Sequence, residues 1–92
     1  MDIEYIKKEK NEIELSVKNQ DTAFFSLIEN IASSKRSVEF VALRKEDNII
    51  DEFKFYLKTK DASAKDVLLE CVNEAEEQLK NVVNNLEKST DE

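Results

Sequence analysis

The last third of the chain carries six apolar residues at intervals of 4, 3, 4, 3 and 4: Leu68, Val72, Ala75, Leu79, Val82 and Leu86. At about 100° per residue they fall within roughly 40° of Leu68, with Cys71 and Val83 at the edges of the stripe. Ser63 opens the segment, and Asp66 suits the closing position of a capping box, its carboxylate standing in for the usual Glu. No Gly or Pro interrupts positions 63–88. At ~1.5 Å per residue the helix is roughly 38 Å long.

Upstream, the period changes. Ile13, Leu15 and Val17 alternate strictly with Glu12, Glu14, Ser16 and Lys18, as in a half-buried strand. Ile3 and Tyr5 alternate with charges before them, and Glu9-Lys10-Asn11 forms the turn of a hairpin. Asp21 or Thr22 then caps a helix whose stripe is Phe24, Leu27, Ile28 and Ile31, with Phe25 off the stripe and Ser33-Ser34-Lys35 at its end. Two more strands follow. Val38, Phe40 and Ala42 share one face, opposite Glu39 and Val41. Phe53, Phe55 and Leu57 share another, opposite Lys54, Tyr56 and Lys58.

The order ββαββα predicts an α+β fold in two layers: a four-stranded, mostly antiparallel sheet with both helices on its one apolar face. Residues 1–88 make a single domain, followed by a polar tail at 89–92, and 44–51 is the soft region inside it. Four strands at ~4.8 Å spacing give a sheet roughly 19 Å wide, and strands of this length run roughly 23 Å. The last helix exceeds either dimension by about 15 Å. Val67, Leu68, Cys71, Val72 and Ala75 therefore pack on the sheet, while Leu79, Val82, Val83 and Leu86 project beyond it. Leaving those side chains in water forgoes about 1.5–3 kcal/mol each, so the pattern predicts a helical partner.

Composition narrows the function. The 92 residues have 38% charged and 40% hydrophobic side chains and a net charge of −7. That balance argues against nucleic acid, because phosphate contacts need clustered Lys and Arg; the one short basic run, Lys7, Lys8 and Lys10, is interrupted by Glu9. No run of ~18 apolar residues suggests a membrane span, no signal peptide opens the chain, and the cytoplasm is the expected compartment. Gly and Pro are both absent, so turns rest on Asn and Asp, and no Gly-rich phosphate loop can form. The chain has no His, which removes the commonest general base and metal ligand. Cys71, the only cysteine, lies on the edge of an apolar stripe and reads as a buried structural thiol. Glu74, Glu76 and Glu77 read as a solvated helix face, not a metal site. The expectation is no catalytic, metal or cofactor residue in this chain.

Several segments carry a resemblance. Residues 1–15, Met1-Asp2-Ile3-Glu4-Tyr5-Ile6-Lys7-Lys8-Glu9-Lys10-Asn11-Glu12-Ile13-Glu14-Leu15, are similar to a hairpin of the form EIxxLKKEKNELEIEI. Val38-Glu39-Phe40-Val41 and Phe55-Tyr56-Leu57-Lys58-Thr59-Lys60 are similar to strands reading Val-Glu-Phe-Ala and FYIRTK. Ala64-Lys65-Asp66-Val67-Leu68 falls on the opening of a last helix, Pro-x-Glu-x-Leu. In this order they resemble subunit L of archaeal DNA-directed RNA polymerase, the small alpha-like subunit family. An alpha motif, Asp-His-Thr-Leu/Phe-x-Asn-Leu-Leu, falls on residues 21–28, where Thr22, Ala23, Phe25 and Ser26 depart from it. A Pro-His-Pro-Leu loop is here Glu46-Asp47-Asn48-Ile49.

The resemblance implies a non-catalytic role. The chain would pair through its helices with the larger of the two alpha-like subunits of RNA polymerase, and the heterodimer would be the platform for the large catalytic subunits. The implied interface is Phe24, Leu27, Ile28 and Ile31 on the first helix and Val72, Leu79, Val82 and Leu86 on the last. A self-associating interaction or regulatory protein, with two copies pairing their long helices, is the alternative.

Overall fold

The computed structural model describes residues 2–18, 22–45 and 52–90. Strands β1 (Asp2–Glu9) and β2 (Glu12–Lys18) form a hairpin, helix α1 (Thr22–Ser33) follows, then β3 (Val38–Lys45), β4 (Glu52–Thr59) and the long helix α2 (Ala64–Thr90). The strands make one antiparallel sheet in the order β1-β2-β4-β3. The expected fold, α+β with the order ββαββα, is the one observed. Asp21 and residues 46–51 lie outside the described residues, so the expected cap, the altered loop and most of the soft region do too. Helix α2 continues through Ser89 and Thr90, where a polar tail was expected.

The two central strands build the core from directly opposed pairs. Ile13 faces Leu57, Leu15 faces Phe55 and Val17 faces Phe53, and all six side chains are buried. Both strands keep strict alternation, so one face is apolar throughout and both helices pack on it. Helix α1 adds Phe25, Ile28 and Ala32, and α2 adds Ala64, Val67, Leu68, Cys71 and Ala75. Phe25 lies at the centre, its ring 5.2 Å from Phe53 and 5.9 Å from Phe55 in edge-on geometry. That packing favours the rings beyond their area alone.

Two faces differ from the pattern reading, each for a local reason. Helix α1 carries adjacent apolar pairs, Phe24/Phe25, Leu27/Ile28 and Ile31/Ala32, which form two parallel stripes. The second members, Phe25, Ile28 and Ala32, turn inward; Phe24, Leu27 and Ile31 are only partly buried. Phe25 is thus a core residue. In β3 the register shifts between Val38 and Phe40, so Glu39 is an extra residue against β4. This bulge reverses the alternation. Val38, Val41 and Leu43 pack on the core, while Phe40 points out with 54% of its surface exposed. Phe40 is not a core residue.

Candidate partner interface

The direction of α2 is set by the hairpin turn. The Asn11 side-chain amide donates to the carbonyls of Lys60 at 3.1 Å and Ala62 at 2.9 Å and to the Thr59 hydroxyl at 3.3 Å. The Asn11 and Lys10 carbonyls accept from the backbone amides of Thr59 at 2.8 Å and Ala64 at 2.7 Å. These bonds clasp the loop from which α2 starts, in the place where a glycine turn is often found. Ser63 then caps the helix as expected, its hydroxyl accepting from the Asp66 amide at 3.5 Å.

A second tie fixes the two helices to each other. Lys35, just past the end of α1, places its ammonium 3.0 Å from Glu70 and 2.8 Å from Glu74 of α2. Hydrogen bonds to Glu74 and then Glu70 hold the lysine pKa well above its ordinary value. Glu74 therefore faces Lys35 and is partly buried, whereas Glu76 and Glu77 are exposed. Among the described residues no group of three or more His, Cys, Asp or Glu side chains could hold a metal ion. Cys71 is buried, and loss of hydration raises its thiol pKa, which disfavours the reactive thiolate.

With α2 placed, the apolar stripe divides. Leu68, Cys71 and Ala75 are covered by the chain's own sheet and α1, and Val72 is half covered. Beyond Ala75 the covering stops: Leu79 is 46% exposed, Val82 54%, Val83 51% and Leu86 60%. Leu69, on the other flank, is also exposed; it escaped the pattern reading because it lies one position off the stripe. On α1, Phe24, Leu27 and Ile31 are half-buried surface residues. Ile28, expected beside them, is fully enclosed at 0% exposure, so no partner can touch it in the folded chain. On β1, Ile3 pairs with Val17 and Tyr5 with Leu15, which carries the helix-side apolar face to an exposed edge strand.

The basic run on the hairpin is tied down within the chain. The Lys7 ammonium lies 2.9 Å from Glu12, and that of Lys8 lies 4.9 Å from the centre of the Tyr5 ring. No helix among the described residues is long and apolar enough to cross a membrane.

No family model matches the chain, and no curated protein matches it either. Among solved structures, the crystal structure of DNA-directed RNA polymerase subunit L from Thermoplasma acidophilum matches over 96% of this chain and 87% of that one, with a TM-score of 0.81. The chain has the subunit L fold. Sequence identity to the Thermoplasma protein is 17%, so the likeness is one of architecture, including the long last helix and the order of elements. The fold implied by the resemblance is the fold observed. The side chains of the interface are this chain's own.

Proposed function

We propose that this chain is a non-catalytic assembly subunit of a DNA-directed RNA polymerase, pairing with the larger alpha-like subunit of that enzyme to form the platform on which the catalytic subunits dock. The observation that carries the reading is the exposed part of α2: Leu79, Val82, Val83 and Leu86 form an apolar seam that nothing in the chain covers, on a fold shared with a polymerase subunit L. A seam of this spacing fits the apolar stripe of another helix. Phe24, Leu27, Ile31 and Val72 extend the surface onto α1 and the near part of α2.

Charge agrees with the same role. At −7 the chain is poorly suited to bind DNA directly, so its contribution to transcription is structural and its working compartment is the cytoplasm. The second reading is a homodimer that pairs two copies of the seam. Purifying the tagged protein from its own cells and identifying the bound chains separates the two. Recovery of the larger alpha-like polypeptide in equal amount, together with the large polymerase subunits, supports the assembly role; a dimer of this chain alone supports self-association.

A further inference from the structure

The face of the sheet turned away from the helices has a feature that neither the core nor the helical seam uses. The bulge at Glu39 gives up regular pairing and turns a phenylalanine into water. Bulges commonly re-aim a side chain at a site of interaction. Phe40 meets Tyr56 there, ring centres 5.7 Å apart, and the two flank Ala42 on one side of an open hollow of about 540 Å³.

The walls of this hollow are charged. Arg44 stands directly opposite Lys54 across the strand pair, and like charges so placed repel. Lys58 is answered by Glu39 at 3.7 Å, and Glu12 takes Lys7 and the Tyr56 hydroxyl. Arg44 is exposed and has no ion-pair partner among the described residues. A chain with a net charge of −7 thus presents an aromatic step and a guanidinium fork on one face. The fork matches a carboxylate in two-point geometry.

We propose that the outer face of β3 and β4 is a docking surface for an extended polypeptide segment that sets an apolar side chain on Phe40 and Tyr56 and a carboxylate at Arg44. The spacing specifies the ligand. Phe40 and Arg44 are four residues apart on one strand face, about 13 Å, so the two recognised side chains of an extended segment are also four residues apart. A polyphosphate backbone fits less well, because Glu14 and Glu39 stand at the same rim. A second copy docking by this same face would set the Arg44–Lys54 pair against its own image. The surface lies on the opposite side of the sheet from the helical seam and does not depend on the polymerase reading.

The test is a titration of the isotope-labelled full chain with short serine- and threonine-rich peptides bearing one phenylalanine and, four positions away, one glutamate, in both orders. Saturable shifts confined to the amides of β3 and β4, at or below about 1 mM peptide, are expected from at least one order. Glu→Gln or Phe→Ala in that peptide, which leaves the protein untouched, weakens binding at least about tenfold; Arg44→Glu and Phe40→Ser do the same with an unchanged thermal midpoint. The idea is overturned by no saturation in either order, by indifference to the peptide glutamate, or by shifts mapping to residues 79–86. It is equally overturned if a single-stranded oligothymidylate saturates the same amides at lower concentration, or if those amides shift on protein dilution with no peptide present.

Discussion

Replacing Leu79 with aspartate separates binding from folding if α2 is divided as described. Leu79, Val82, Val83 and Leu86 are each about half exposed. Full burial of such a side chain is worth ~1.5–3 kcal/mol, so a partner covering the remaining half gains about 1 kcal/mol per residue. Over the four residues this is about 4 kcal/mol, or roughly a thousandfold in affinity. Leu79→Asp removes one such share and sets a carboxylate in a dry seam, at a further cost of about 1–3 kcal/mol. Binding should weaken by about 3 kcal/mol, at least a hundredfold. In the isolated chain the same position faces water. There the change loses only part of a half-buried contact and about 0.5 kcal/mol of helix propensity. Calorimetric titration against the larger alpha-like polypeptide, alongside thermal unfolding of the free chain, gives both numbers. If Leu79→Asp lowers the stability of the free chain by as much as it lowers affinity, residue 79 belongs to the core and the division of the helix after Ala75 is wrong.

Phe55→Ala should cost about 3–5 kcal/mol in chemical denaturation, because its ring is fully enclosed. Phe40→Ala should stay within about 1 kcal/mol of the parent, since more than half of that ring is in water. Cys71 should resist iodoacetamide at neutral pH and react only as fast as the core opens, which mass spectrometry follows directly. Lys35 has a raised folded-state pKa, so its contribution to stability is complete below the ordinary lysine value of 10.5 and declines as pH climbs above it. Unfolding curves at pH 8 and pH 11 should therefore show a parent advantage over Lys35→Met at the lower pH that shrinks at the higher.

The parts legible in the sequence are those with one dominant period. Ile13, Leu15 and Val17 and their partners Phe53, Phe55 and Leu57 alternate without exception, and their inner face follows from that alone. The length of the Leu68–Leu86 stripe, set against the width of a four-stranded sheet, located the change from covered to uncovered near Ala75. Two elements offered competing phases. In α1 every core residue has an apolar neighbour one position before it, and Ala32 is too small to weigh against Ile31 in a pattern. Rotation of the helix by about 100° exchanges the two stripes, and the fit of Phe25 between Phe53 and Phe55 chooses one of them. In β3 the run Val38, Phe40, Val41, Ala42, Leu43 is apolar on both faces. Its phase depends on a bulge that no glycine marks. The core role expected for Phe40 and the interface role expected for Ile28 trace to these two ambiguities.

The Asn11 clasp bears on the order of events in folding. Its side chain reaches partners 48, 49 and 51 positions away in sequence, whereas α1, the β1–β2 hairpin and α2 itself are built from near neighbours. Closing so long a loop costs chain entropy before it returns any bond. The helix can therefore exist before it has a heading, and the clasp belongs to the last stage of assembly. Asn11→Ala should then mainly speed unfolding and leave the refolding rate nearly intact. The sequence contains no proline, so no slow isomerisation masks that difference. A chain caught before the clasp forms would display its apolar helix at the wrong angle to any partner, which makes correct recruitment a report that folding has finished.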